Sequence, residues 1–372
     1  MQQQNITSQS LGSGKLISSG IEFNPKNTTT NNGKPPMRRV QLHLRASKLK
    51  NISNAKWRGK VSSPYIQLLH LSSTNTSSAS SNSGELIGQT EVQHANLSPQ
   101  FTTPFIINHS EWTNLRIIIR DCRGSKREGG GGQYEQRSVR RPLGQLIANA
   151  QNITTLRNNN AENDDDIENE EGYCKQDDPI ISQVDIEINQ ILQCPGQQTE
   201  INLNEGGKLY VQVVESIHGR DMGIIDCHIR GLDVKNIESG LLGLGAVDPY
   251  FIISKKYNDT KSGISNWIPV YQSEHIHDII NPYWKPFKLN LEHLCNNDIT
   301  KQLKITIYDQ EQYGNDRWLG EVGTSVKELL ESVATCGNAD RESALRVVAV
   351  EDDGKEDLRA LLVILRAEMT SE

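Results

Sequence analysis

Residues 270–309 read VYQSEHIHDIINPYWKPFKLNLEHLCNNDITKQLKITIYD, and the alternation of segments within them decides the fold. Short β-type runs such as LKITIYD at 303–309 stand between segments rich in Asn, Pro and Asp. Runs of the same kind begin near residue 40, with VQLHLRA at 40–46 and LRIIIRD at 115–121. Short runs bounded by turn residues predict antiparallel sandwiches rather than alternating strand and helix units. The pattern therefore predicts an all-β fold.

A repeat of long period indicates that one domain occurs twice. SSPYI at 62–66 returns as VDPYF at 247–251, and TEVQHANLSPQF at 90–101 returns as SEHIHDIINPYW at 273–284. The run LRIIIRD likewise returns as LKITIYD. The offsets of these three blocks are 183 to 188 residues. Near-constant offsets over separated blocks predict two copies of one fold.

The chain divides into three predicted segments. Residues 1–37 form a tail rich in Gln, Asn and Ser that we expect to be disordered. Residues 38–216 form a first sandwich, interrupted by a loop insertion at about 123–176 that carries Gly-rich, basic and acidic runs. Loop closure entropy grows slowly with length, so a sandwich tolerates such an insertion. Residues 221–372 form a second sandwich, and each sandwich is expected to have eight antiparallel strands.

Composition excludes several classes of function. A formal net charge of -7 argues against a general nucleic-acid binder, since phosphate binding needs a basic face. The six cysteines are scattered and form no CxxC pair, which fits neither a disulfide framework nor a zinc site. No apolar stretch approaches the roughly 20 residues of a membrane span, and no secretory signal begins the chain. With no catalytic motif present, we predict a cytoplasmic, non-enzymatic protein.

Three motifs resemble the C2 family of β-sandwiches: Asp248-Pro249-Tyr250, the Asn-Pro-x-Trp that ends at Trp284, and the strand that ends in Asp309. Residues 270–309 are most similar to the second C2 domain of the copines, and GQTEVQHANLSPQF at 88–101 is similar to the first. Copines carry a von Willebrand A-like domain after the C2 pair, whereas this chain ends on the last predicted strand. No role of that domain is carried over, and a fragment of a longer protein is one reading.

The resemblance implies a calcium site in the second copy, because C2 domains hold calcium with carboxylates from two loops. Calcium takes six to eight oxygen ligands, so several carboxylates must converge. The set is incomplete, since Arg317 takes a position where a carboxylate is expected, and this predicts a weak or single Ca²⁺ site. The candidate ligands are Asp248, Asn236 (with Glu238 as a nearby substitute), Asp309, Glu311 and Asp316.

The first copy has a poorer ligand set. Ser63 stands where the first loop should supply an acid, and Arg123 replaces the acid two residues after Asp121. Trp57 occupies the earlier first-loop position. Asp121 and Asp178 remain as a weak remnant, and two carboxylates do not complete a calcium shell.

Membrane contact in the second copy is expected from apolar and basic residues near these loops. Apolar side chains insert at the headgroup level, and lysines attract anionic lipid. Trp284 is expected in the core instead. The predicted contacts are Leu241, Leu242, Leu244, Trp318, Lys255 and Lys256, with Tyr313 beside them.

Two functions follow from these patterns. The first is calcium-responsive binding of anionic phospholipid through the second domain, with a copine-like role in trafficking or signalling at the plasma membrane. The alternative is a calcium-independent adaptor whose degenerate C2 domains bind protein partners. The damaged ligand set of the first copy favours the adaptor, and the surviving Asp248, Asp309 and Glu311 favour the lipid binder.

Overall fold

The computed structural model describes ten segments of the chain, and all structural statements concern them. The predicted tail, most of the loop insertion, and Trp57, Glu238, Leu241, Leu242, Leu244 and Tyr313 lie outside the described residues. The described segments are 38–53, 61–71, 84–109, 114–123, 178–216, 222–237, 246–311, 316–334, 341–350 and 355–370.

The first sandwich has eight strands in the described residues, arranged as two four-stranded antiparallel sheets. They are β1 (Arg38–Ser47), β2 (Pro64–Leu71), β3 (Glu85–Gln89), β4 (Phe105–His109), β5 (Asn114–Asp121), β6 (Ile180–Glu187), β7 (Gln198–Asn202) and β8 (Lys208–Glu215). One sheet has the order β4-β1-β8-β7 and the other β3-β2-β5-β6. Helix α1 (Ile188–Gln193) connects β6 to β7. Leu115, Ile117 and Ile119 alternate along β5 and are fully buried between the sheets.

The second sandwich repeats this arrangement. Its strands are β9 (Ile224–Leu232), β10 (Pro249–Asn258), β11 (Ser265–Gln272), β12 (Phe287–Asn290), β13 (Leu303–Asp309), β14 (Arg317–Thr324), β15 (Leu345–Arg346) and β18 (Leu361–Thr370). The sheet orders are β12-β9-β18-β15 and β11-β10-β13-β14, and β16 (Ala349–Val350) pairs with β17 (Glu356–Asp357). Helix α2 (Leu291–Cys295) follows β12, and α3 (Val326–Glu331) follows β14. The prediction of two tandem antiparallel sandwiches is confirmed.

Matching hydrogen bonds show that the two sandwiches share one local design. The backbone N–H of Ile66 donates to Thr90 Oγ1 at 2.9 Å, and in the second sandwich that of Phe251 donates to Ser273 Oγ at 2.9 Å. Both hydroxyl residues begin the blocks TEVQHANLSPQF and SEHIHDIINPYW. The sequence repeat therefore preserves polar contacts as well as strand positions.

A polar cluster whose members other than Arg39 are buried connects the two sandwiches. Arg39 in β1 donates from Nε and Nη2 to the Glu292 carboxylate, at 2.7 Å each. Lys255 in β10 donates from Nζ to Gln41 Oε1, and to the backbone oxygen of His293 at 2.9 Å. We call Arg39, Gln41, Lys255, Glu292 and His293 the joint. Because Arg39 and Gln41 belong to the first sandwich and the other three residues to the second, the joint ties the sandwiches together.

Lys255 is therefore not a lipid contact, and that prediction is wrong. Its side chain is 1% exposed, because the first sandwich covers this part of β10. Burial lowers the pKa of Lys255 to about 7, with a further contribution from the nearby charge of Lys301. The neighbouring Lys256 points to the opposite face of the sheet and is half-buried.

In the described residues, no helix is long and apolar enough to cross a membrane.

We expect residues 221–372 to fold without the first sandwich. The first and last strands of this range, β9 and β18, are neighbours in one sheet, so the range contains every strand of its own core. Its melting temperature should lie below that of the whole chain, since the joint is lost and the apolar contact of Val214 with Tyr257 and Ile268 is exposed. Absence of a cooperative thermal transition would contradict the boundary at 221.

Candidate functional site

The predicted calcium ligands meet at one end of the second sandwich. Pro249 at the start of β10 pairs with Asp309 at the end of β13, so Asp248 and Asp309 lie side by side. Arg317 at the start of β14 is paired with Asp309 in turn. The antiparallel register brings together two loops that are about 60 residues apart in sequence. We call Asp248, Asp309, Glu311, Asp316 and Arg317 the loop cluster.

Asp309 is the most buried member of the loop cluster. One carboxylate oxygen, Oδ1, accepts a hydrogen bond from the Asp248 backbone N–H at 2.7 Å. The other, Oδ2, accepts from Arg317 Nη2 at 2.7 Å, and the side chain of Asp309 is 2% exposed. Both oxygens of this carboxylate are thus already engaged by protein donors.

Asp316 and Glu311 link the end of β13 to the start of β14. The Asp316 carboxylate accepts from the Tyr250 hydroxyl at 2.6 Å and from the Glu311 backbone N–H at 3.1 Å. Glu311 Oε1 in turn contacts Arg317 Nε. Tyr308 stacks on Tyr250, and burial raises the pKa of the Tyr308 hydroxyl, so its phenol stays neutral.

Asp248 is held by two residues that sequence reasoning missed. Its Oδ1 accepts from the Asp278 backbone N–H at 2.7 Å, and its Oδ2 lies 2.8 Å from His277 Nδ1. Both partners belong to the HIHD stretch at 275–278 of the repeated block. The sequence did contain a signal for this contact, because a histidine and an acid stand next to each other within a block that is repeated in both domains. Asn236, the fifth predicted ligand, is exposed in the segment after β9.

In the first sandwich, Asp121 and Asp178 accept hydrogen bonds from protein donors. Asp121 Oδ1 accepts from the Ser63 backbone N–H at 2.7 Å, and Asp178 Oδ2 accepts from the Tyr65 hydroxyl at 3.2 Å. The Arg123 backbone N–H donates to Asp178 Oδ1 at 3.3 Å. Asp121 and Asp178 are both buried. Their hydrogen bonds lie at the strand ends of the first sandwich.

The same bonds recur in the second sandwich, residue for residue. Asp309 accepts a hydrogen bond from the Asp248 backbone N–H, as Asp121 does from that of Ser63. Asp316 accepts from the Tyr250 hydroxyl, as Asp178 does from that of Tyr65. Two of the predicted calcium ligands therefore have a structural role that both copies share. Asp248 and Glu311 are the acids that distinguish the second copy.

As arranged, these side chains do not fit a calcium ion. Calcium needs six to eight oxygens with free lone pairs around one point. In the described residues, no group of three or more His, Cys, Asp or Glu side chains is placed to hold a metal. The carboxylates of the loop cluster instead accept from backbone, tyrosine and arginine donors.

The predicted membrane contacts occupy different places. Trp318 stands beside the loop cluster at the start of β14 and is 38% exposed, whereas Trp284 is buried and donates from Nε1 to the Pro249 backbone oxygen at 3.1 Å. The core position predicted for Trp284 is confirmed. Lys256 lies with Lys304 over the exposed ring of Trp267, with Nζ to centroid distances of 5.9 and 5.2 Å. This cationic and aromatic face on β10, β11 and β13 was not predicted.

Comparisons with known proteins indicate which family the second sandwich resembles. Residues 224–339 match the family model described as C2 domain. Copine-A of Dictyostelium discoideum is 28% identical over 167 residues, which are 42% of this chain and 26% of the relative. The chain thus matches about a quarter of the length of this curated relative.

Solved C2 structures are also similar. BON1-C2B is 18% identical with a TM-score of 0.32, over 41% of this chain and 94% of that one. The calcium-bound pair of C2 domains from Extended-Synaptotagmin 2 is 12% identical with a TM-score of 0.29, over 91% and 100%. From the family match, the relative and the repeated sandwich design, we conclude that residues 224–339 are a C2 domain and that the chain is a copine-like tandem of C2-type sandwiches.

Proposed function

We propose that this protein is a non-enzymatic, cytoplasmic binder of anionic phospholipid that acts at the plasma membrane through its second C2 domain. The observation that carries the proposal is the C2 match over 224–339, the range that forms the loop cluster. C2 domains generally bind membranes or calcium, and the loops at this end are the surface that would face the lipid. A copine-like role in trafficking or signalling belongs to the same proposal.

The lipid contact would combine an aromatic and a basic element. Trp318 is exposed next to the loop cluster, where its amphipathic ring suits the headgroup region. Lys256, near the opposite end of β10 from Pro249, adds positive charge on the side of the domain, which would attract anionic headgroups where that side approaches the membrane. Leu241, Leu242 and Leu244 remain predicted contacts from the sequence.

Calcium would strengthen this binding only weakly. The ligands for a single ion would be Asp248, Asp309, Glu311 and Asp316, with Asn236 beyond them. To reach those oxygens an ion must displace Arg317 from Asp309 and the His277 ring from Asp248. An ion held by these residues would add positive charge at the loop end.

The second candidate is an adaptor that binds protein partners without calcium. The observation in its favour is that Asp121 and Asp309 each accept a hydrogen bond from a backbone N–H of their own sandwich, a role that requires no ion. An adaptor would bind vesicles no better when their lipid is anionic.

Vesicle co-sedimentation of the 372-residue chain tests the proposal. We expect more protein with phosphatidylserine vesicles than with phosphatidylcholine vesicles, in chelator as well as in calcium. Trp318→Ala should weaken vesicle binding by about three- to tenfold, because it removes the exposed ring at the loop end. Leu86→Ala, an exposed apolar residue of the first sandwich, serves as the control and should change nothing. Equal binding to both lipids would favour the adaptor.

A further inference from the structure

Arg317 contacts two acids at the start of the loop between β13 and β14. Its Nη2 lies 2.7 Å from Asp309 Oδ2, and its Nε contacts Glu311 Oε1. The Asp309 carboxylate is 2% exposed, while the guanidinium side chain is 38% exposed and lies on the solvent side of it. One planar cation at the end of the loop therefore bridges two carboxylates at its beginning.

A bridging guanidinium has the electrostatic effect of a bound cation. Arginine stays protonated at every physiological pH, and its fork of donors matches carboxylate geometry. A divalent ion at this place would need the same oxygens and would also lie close to the positive charge of Arg317. The guanidinium thus neutralises the acids and blocks them at the same time.

We infer that Arg317 is a built-in replacement for the calcium ion and is the residue that sets the calcium response of the second C2 domain. The carboxylates of the loop cluster are held by protein donors, so the inference predicts that the loop end assembles without calcium. One consequence of this inference rests on the proposed function: vesicle binding should persist in chelator.

Calcium calorimetry of the whole chain without lipid tests the inference. The unaltered protein should bind calcium with a dissociation constant weaker than about 1 mM, and Arg317→Asp should bind at least about tenfold tighter, because affinity follows the number of charged ligands. Arg366→Asp is the matched control. It makes the same charge change at a pair with Asp226 (2.6 Å), near the start of β9 and remote from the loops, and should leave the affinity unchanged.

A thermal measurement gives a second signature. Without calcium, Arg317→Asp should melt at a lower temperature than the unaltered protein, since the buried Asp309 loses its counter-charge and gains a like charge. Calcium should restore the melting temperature of this variant and leave that of the unaltered protein unchanged. Should Arg317→Asp fail to fold, Arg317→Gln, which only removes the charge, gives the same comparison.

Two outcomes would overturn the inference. One is micromolar calcium binding by the unaltered protein. The other is a folded Arg317→Asp or Arg317→Gln protein whose calcium affinity equals that of the unaltered chain. Because these measurements contain no lipid, a failure of vesicle binding would refute the proposed function and leave the role of Arg317 standing.

Discussion

Replacing Trp284 with alanine is expected to lower the free energy of unfolding by about 3–5 kcal/mol, the usual cost of deleting a large aromatic side chain from a core. Trp284 is 1% exposed, and its ring packs edge-on against Phe251 with a centroid distance of 4.9 Å. Its Nε1 also donates to the Pro249 backbone oxygen, next to Asp248 of the loop cluster. The substitution removes the packing and leaves that carbonyl without its indole donor. Urea denaturation of the whole chain measures the loss.

The control for this prediction is Trp318→Ala. Because Trp318 is 38% exposed, its removal should cost less than about 1 kcal/mol. The two substitutions should therefore have different effects: the loss of Trp284 should lower stability, and the loss of Trp318 should weaken vesicle binding. Equal losses of stability for both would contradict the assignment of Trp284 to the core.

Acidification is expected to destabilise the protein through buried histidines at the joint. His43 in β1 and His293 in α2 are both buried, and in the described residues neither ring nitrogen of either has a hydrogen-bond partner. Burial is the main cause that lowers the pKa of His293 to about 3 and the pKa of His43 well below its ordinary 6.5, and the charge of Lys255 adds to both. Both rings are therefore neutral in the folded protein.

The sign of the pH effect follows from the direction of these shifts. A lowered pKa means that the unfolded chain binds a proton more readily than the folded one, so stability rises with pH through that window. For His293 the window runs from about 3 to 6.5, and each pH unit well inside it corresponds to about 1.4 kcal/mol. The pKa of Lys255 is also lowered, to about 7, so stability should rise with pH a second time between about 7 and the ordinary value of 10.5.

Urea denaturation at pH values of about 5, 6 and 7.5 tests this prediction, since these values span the upper part of the histidine window. The unaltered chain should lose stability steadily below the ordinary histidine pKa of 6.5, and a double variant with His43→Leu and His293→Leu should lose much less. A slope that survives in the double variant would show that other groups cause the acid sensitivity.

Much of the fold could be predicted from residues close together in sequence. The runs LRIIIRD and LKITIYD identify β5 and β13 because alternation and bounding turns are local properties of a strand. The recurrence of three blocks at nearly constant spacing predicted two sandwiches, and the structure contains them. The buried place of Trp284 followed from the same repeated motif.

The candidate site was only partly predictable. The resemblance to C2 domains predicted that Asp248 and Asp309 meet at one end of the sandwich, and both lie there, at the ends of paired strands. It did not show that His277 and Asp278 would hold Asp248, because loop conformation has no simple periodicity. The contact of Arg317 with Asp309 and Glu311 depends on the register in which β13 pairs with β14, and composition alone does not fix that register.

The sequence by itself determined the two sandwiches, their strands and the end where the acids gather, because strand patterns and turns are set by neighbouring residues. Only the tertiary structure decided that Lys255 is buried. Strand alternation assigns it to one face of the sheet but does not show whether that face contacts solvent, lipid or protein. Its partner Gln41 lies 214 residues away, in the other sandwich. Whether a sheet face is covered depends on a second domain docking against it, and that contact leaves no periodic mark on either strand.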